Sequence, residues 1–163
     1  MNNPVIKLEK QTIDLMLEAF VFIGVSILVI LPIYYFKELP EMIPTHFNGK
    51  GQPDAYNSKS MIWTLPVIGL VLCVGLYVLN RYPHVFNYPT KITIDNAVSY
   101  YRNATRLIRV LNLIIAWAFV FIMWKSIKVA LKTSEGLGTW FLPVFIILMI
   151  GVIIYFVLKS NKR

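Results

Sequence analysis

The sequence predicts an all-α fold, namely an integral membrane four-helix bundle with a folded, turn-rich loop between helices 1 and 2. The hydrophobic fraction is 57% and the charged fraction only 15%, whereas soluble domains have about 45–50% and about 25%. Four charge-free runs approach the roughly 20 residues that cross a bilayer core. Prolines and glycines, which set turns, are concentrated between the first two runs. These observations exclude a disordered chain, and a single cysteine excludes a disulfide scaffold.

The four predicted helices form one transmembrane domain over residues 1–163. We expect them at 13–36, 60–80, 94–132 and 139–159. The third is the longest because no proline or glycine interrupts the chain between Thr93 and Lys132. Thr93 followed by Asp95 is typical of a helix start. The first part of this helix is therefore expected to be an amphipathic extension outside the apolar core.

The basic residues predict the orientation of the bundle. Ten of the sixteen Lys and Arg residues flank the two termini and the second connection, and six lie on the other side. The positive-inside rule then places both termini in the cytoplasm and the first connection outside. The lipid bilayer is the expected partner. The net charge of +8 requires no nucleic acid, because anionic headgroups attract basic residues next to a span.

The first connection, residues 37–60, has the most varied polar chemistry on the predicted outer side. His46 and Asp54 could ligate a metal or shuttle a proton. A closed metal site needs further ligands, and only Asn48, Glu38 and Glu41 are near in sequence. In the structural alternative, Asn48 and Asp54 bond to the turn backbone and His46 bonds to a nearby carbonyl. We expect no metal and no cofactor.

Charged residues also lie at the cytoplasmic entry to the helices. Arg102, Arg106 and Arg109 share one helix face, which suits lipid phosphate groups or an acidic cytoplasmic partner. Asp14 and Glu18 lie one turn apart, where acids favour the helix dipole. If the first helix starts deeper, Glu18 is an intramembrane ionisable residue and a functional candidate. A pairing of Glu18 with Arg106 or Arg109 would satisfy both interpretations.

Small residues and prolines predict two features of the packing. Gly69 and Cys73 have the spacing that allows helices to approach closely. Pro32, Pro66 and Pro143 all lie toward the predicted outer leaflet, where irregular backbone is tolerated against protein or a wet cavity. A cavity beneath the first connection is therefore one expectation. For Pro66 and Pro143, proximity to a helix start is an equally good explanation.

Two sequence blocks resemble the SdpI-like bacterial membrane family, whose shared domain has no known function. The first runs from Leu39 to Asn48 and continues with Gly51, Asp54 and Lys59; the second is 86–89, with Asn96 and Tyr101. The resemblance implies a bacterial inner (plasma) membrane location and, by kinship, immunity to a peptide toxin or signalling. The ligand- or partner-binding candidates that it carries over are Pro44, His46, Asn48, Gly51, Asp54, Phe86, Asn87 and Pro89.

Three functional hypotheses follow from the sequence. The leading one is a non-enzymatic membrane protein that binds a peptide toxin or small ligand at its outer face. The alternative is a small transporter or transporter subunit that uses the outer prolines and Glu18. A single chain of this size leaves little room for a pathway, so the transporter hypothesis predicts a homo-oligomer. A membrane enzyme with His46 and Asp54 as acid and base has the least support, because two titratable groups on a loop are not a complete site.

Overall fold

The structure, a computed structural model, describes residues 3–161 and confirms the predicted fold class. Within this range four helices are long and apolar enough to span a membrane. The elements are α1 (Thr12–Tyr35), β1 (Met42–Phe47), β2 (Pro53–Ser58), α2 (Thr64–Leu79), α3 (Ile94–Ala130) and α4 (Phe141–Asn161), with 3-10 turns at Lys59–Trp63 and Pro83–Val85. The strands form a two-stranded antiparallel sheet, which the sequence pattern did not predict.

Helix α3 is the centre of the bundle, because α1, α2, α4 and strand β1 all pack against it. Since four helices run the length of the bundle, both termini lie at the same end of it. We call this the terminal end, and the opposite end, which carries the β-hairpin, the hairpin end. Helix α4 contacts mainly α3 and leaves most of its surface exposed.

The close approach expected at Gly69 is confirmed, because α1, α2 and α3 meet there. A Cβ atom at Gly69 would lie 2.5 Å from Leu28 Cδ2 and 2.9 Å from Phe119 Cδ2. A larger residue would therefore force the Leu28 or Phe119 side chain to shift. In a bilayer, where lipid is as apolar as leucine, such close packing contributes much of the association between helices.

The apolar core lies at the hairpin end. It joins Leu28 of α1 and three α3 residues to Leu39 and Ile43 of the first connection. Ile43 is only 1% exposed. Burying a side chain of this size away from water stabilises by about 1.5–3 kcal/mol. The hairpin is therefore anchored to the helices by its own apolar residues.

The terminal end has a second, smaller core, formed by the start of α3 and the connection before it. Ile92, Ala97 and Tyr101 are its buried members, and the segment before α1 packs on them through Ile6 and Leu8. The Tyr101 hydroxyl donates to the carbonyl of Pro4 at 2.8 Å. Thr93 and Asn96 form a capping box, and α3 therefore starts where the sequence predicted a helix start.

Candidate functional site

A cavity of about 430 Å³ lies beneath the β-hairpin. Its walls come from β1 and the following turn, the start of α2, the end of α3 and the start of α4. The lining residues are mostly apolar, and five are polar: Thr45, His46, Asn48, Thr64 and Ser126. Ligand sites in proteins are typically about 300–1,000 Å³ and mostly apolar with a few polar groups. The cavity expected under the first connection is thus present, and its size and lining suit a ligand.

The sequence motif of the first connection forms much of this cavity. Pro44, His46, Asn48 and Gly51 all line it, and Asp54 lies beside His46. Pro44 is buried and pairs across the sheet with Tyr56. The register shifts on both sides of His46. Such bulges re-aim a side chain, and here they bring His46 next to the carboxylate of Asp54.

His46 and Asp54 form a close pair at the rim of the cavity. His46 Nδ1 lies 2.5 Å from Asp54 Oδ1, and the side chains are 68% and 40% exposed. The sequence-based alternative, in which Asp54 bonds to the turn backbone and His46 to a nearby carbonyl, was wrong for these two residues, because they bond to each other. It was right for Asn48, whose Oδ1 accepts from the backbone amides of Lys50 at 2.9 Å and Gln52 at 3.2 Å.

The pair does not extend into a metal centre within residues 3–161. No group of three or more His, Cys, Asp or Glu residues is close enough there to hold a metal ion. Glu41, a possible further ligand, forms a salt bridge with Lys59 at 2.8 Å. The pair can orient a polar group of a ligand, since the carboxylate fixes the tautomer of the imidazole.

Gly51 fixes the hairpin turn against the loop between α3 and α4. Its φ of +74° is in the left-handed region, which favours glycine. A Cβ atom there would lie 2.6 Å from the carbonyl oxygen of Gly138. The amide of Leu137 donates to the Gly51 carbonyl at 2.7 Å. Leu137 lines the cavity, and nothing in the sequence pattern indicated that it would.

The arginine row of α3 faces acidic residues of α1. Arg106 Nε lies 3.0 Å from Asp14 Oδ1, and Arg109 Nε lies 2.9 Å from Glu18 Oε1. The pairing expected for Glu18 is therefore present. The Arg109 side chain is only 7% exposed, and the docking role expected of Arg106 and Arg109 stays a prediction beside these ion pairs. Arg102 is half-buried, and its docking role stays a prediction.

The second sequence block lies at the terminal end and does not meet the first. Phe86 stacks on Tyr88, and the Phe86 carbonyl accepts from Asn3 Nδ2 at 3.3 Å. The Tyr88 hydroxyl donates to the Pro83 carbonyl at 2.9 Å, and burial raises its pKa. Asn87 and Pro89 are exposed. This block holds the segment before α1 against the bundle, and a binding role for it stays a prediction.

These features define a class, a multi-pass integral membrane protein whose β-hairpin covers a cavity at one end of the bundle. Comparison with known proteins gives a family similarity. Residues 22–70 match the family described as "Domain of unknown function (DUF1648)". The matched segment contains most of α1, the whole hairpin and the first turns of α2, and it therefore includes every motif residue of the cavity.

One relative is an uncharacterized protein of Archaeoglobus fulgidus. It is 31% identical to this chain over an alignment of 75 residues, and the match covers 41% of this chain and 41% of the relative. The chain therefore matches less than half the length of that relative. No solved structure matches this chain significantly.

Proposed function

We propose that the protein is a non-enzymatic receptor that binds the apolar part of a peptide of the toxin class in the hairpin-end cavity, and so serves immunity or signalling. The observation that carries the proposal is the coincidence of the cavity with the motif. Pro44, His46, Asn48 and Gly51 line a mostly apolar cavity of about 430 Å³. The resemblance to the SdpI-like family supplies the class of ligand.

The proposal places the hairpin end outside the cell and both termini in the cytoplasm of a bacterium. The distribution of basic residues supports this orientation. A secreted peptide arriving at the outer face would then meet the hairpin first. Its apolar residues would enter the cavity, and a polar group would bond to His46 or Asp54 at the rim.

The exposure of the rim pair favours binding over catalysis. Acid–base catalysis gains much of its strength from a site that excludes water. The His46 and Asp54 side chains are 68% and 40% exposed. A ligand held here is bound at a surface, with its apolar part in the cavity and its polar part in water.

Filling the cavity tests the proposal. Ile68 of α2 lines the cavity, and Ile68→Trp would occupy part of it. Ile147→Trp, on an α4 residue that is 68% exposed, is a matched control outside the cavity. Each variant and the wild type would be expressed to equal levels in a strain sensitive to a secreted peptide toxin, and survival across a toxin dilution series would be measured.

We expect the wild type and Ile147→Trp to raise the tolerated toxin concentration at least tenfold, and Ile68→Trp to lose most of that protection. Direct binding of the fluorescently labelled peptide to purified protein should follow the same order. Absence of protection by the wild type against such peptides would refute the immunity role. Equal protection and equal binding by the two tryptophan variants would refute the cavity as the site.

A further inference from the structure

Two further cavities lie at the terminal end, between α1 and α2. One has a volume of about 420 Å³ and the other about 230 Å³. Both are lined by Glu18, Tyr77, Asn80 and Arg109, so they adjoin. We call the two together the terminal-end groove. It begins where the close contact of Leu28 with Gly69 ends, and it continues past Tyr77 to the segment before α1.

The larger part of the groove has an apolar wall and opens sideways. Val21, Phe22 and Val25 of α1 face Leu70 and Val74 of α2. Phe22 is 74% exposed and Val74 is 50% exposed. Because α1 and α2 are spans, this opening faces the acyl chains of the bilayer. A ligand can therefore enter from the membrane, with its apolar chain lying between α1 and α2.

The floor of the groove has buried polar atoms that lack a partner among the described residues. They are Arg109 Nη1, Asn112 Oδ1 and Asn80 Oδ1. The three residues are 6%, 4% and 8% exposed. Asn112 Nδ2 donates to the Cys73 carbonyl at 3.0 Å, which fixes Oδ1 as an acceptor. The groove thus presents one cationic donor and two neutral acceptors, and buried polar groups are nearly always satisfied.

The groove also has an excess of positive charge. Both carboxylate oxygens of Glu18 are used, one by Arg109 and the other by Lys10 at 2.6 Å. Asp14 is neutralised by Arg106. The basic residues that line the groove are Lys7, Lys10, Arg81 and Arg109, and the acidic ones are Glu9, Asp14 and Glu18. An anion is therefore favoured over a neutral or cationic group.

We infer that the terminal-end groove binds an anionic phospholipid whose head group carries hydroxyls, of the phosphatidylglycerol class. A phosphate oxygen accepts from Arg109 Nη1. Head-group hydroxyls donate to the amide oxygens of Asn80 and Asn112. The acyl chain lies along the apolar wall between α1 and α2. This site is separate from the hairpin-end cavity and stands whether or not a peptide binds there.

Cys73 provides the readout, since it is the one cysteine of the chain and it lines the groove. The full-length protein in detergent would be alkylated with N-ethylmaleimide, and the rate followed by mass spectrometry. Dioctanoyl phosphatidylglycerol, dioctanoyl phosphatidylcholine and glycerol 1-phosphate would each be added. We expect the first to slow alkylation about tenfold and the other two to change it less than twofold.

Variants test which atoms bind the lipid. Asn80→Leu removes one acceptor without disturbing an ion pair, and the double variant Glu18→Gln/Arg109→Gln removes the guanidinium without leaving a buried unpaired carboxylate. In each of these variants, we expect dioctanoyl phosphatidylglycerol to slow the alkylation of Cys73 by less than threefold. Lys91→Gln, an exposed basic residue at the same end, should keep the full protection.

Each other outcome would overturn the inference. Equal protection by the phosphatidylcholine would mean that the groove binds any amphiphile. Protection by glycerol 1-phosphate alone would mean that it binds a free phosphate rather than a lipid. Lack of protection by every additive, or full protection in Asn80→Leu and the double variant, would exclude the site. Melting temperatures of all variants, measured without additive, verify that each is folded.

Discussion

The two ends of the bundle are held together by different interactions. At the hairpin end, Leu28, Ile43 and Met123 form an apolar core, and a cavity beside it is covered by a hairpin. At the terminal end, Asp14 and Glu18 form ion pairs with Arg106 and Arg109 between the same helices α1 and α3. Apolar packing leaves room for an apolar ligand at low cost, whereas a buried ion pair tolerates little change. The hairpin-end cavity is thus suited to an apolar ligand, and the ion pairs fix how α1 sits on α3 beside the terminal-end groove.

The largest loss of stability is expected at the terminal end. Arg109→Leu leaves Glu18 with Lys10 as its one cationic partner. Glu18→Leu leaves the almost fully buried guanidinium of Arg109 without its carboxylate partner. Removing one partner of a buried ion pair destabilises by about 3–5 kcal/mol. We expect either single variant to lower the melting temperature strongly in detergent. The double variant Glu18→Leu/Arg109→Leu should recover most of the loss, and failure to recover would show that the pair is not the cause.

The next largest loss of stability is expected at the hairpin end. Gly51→Ala combines a left-handed backbone with a contact of 2.6 Å to the Gly138 carbonyl. Strain of this kind costs on the order of 1–3 kcal/mol. The hairpin should detach from the loop that precedes α4, and limited proteolysis would detect faster cleavage between β1 and β2. Gly49→Ala has open space around its Cβ atom and no positive φ, so it should behave as wild type.

A smaller effect is expected where α1, α2 and α3 cross. Gly69→Ala places a methyl group 2.5 Å from Leu28 Cδ2, and this flexible side chain can move partly aside. Overpacking typically costs about 1–3 kcal/mol, and we expect the lower part of that range. The matched Gly75→Ala, with nothing within 4 Å of its Cβ atom, should leave the melting temperature unchanged. Equal effects of the two would contradict the close approach at Gly69.

The smallest effect on stability is expected at the rim of the hairpin-end cavity. Asp54→Asn removes an exposed pair with His46, and exposed pairs contribute about 0–1 kcal/mol. The melting temperature should change little, whereas binding of the toxin-class peptide should weaken. A variant that loses stability and binding together would indicate a structural role for Asp54. Unchanged binding would remove the pair from the proposed site.

Much of the fold could be predicted from the sequence, because span length and charge patterning are strong signals. The four spans and the start of α3 at Thr93 depend on such local features. The hairpin could not be predicted, because β1 contains Pro44 and β2 is polar and mostly exposed. Its stability comes from contacts with distant residues. Propensity along the strands does not report such contacts.

The candidate sites were predictable only in part. The motif indicated Gly51 and His46, but only the fold shows that Gly51 packs on Gly138 and that the register shifts beside His46. Asn112 was a missed signal, since it is a lone polar residue inside the apolar run of α3 and such residues are rarely without function. Its partner atom, the Cys73 carbonyl, is 39 residues away in sequence.

The proposed function depends most on the hairpin end facing outward. Single cysteines placed at the exposed positions His46 and Asn87, each in a Cys73→Ala background, would be labelled in intact cells with a membrane-impermeant maleimide. We predict that the cysteine at position 46 is labelled in intact cells and that the one at position 87 is labelled only after the cells are permeabilised. Labelling of position 87 but not 46 in intact cells would contradict it.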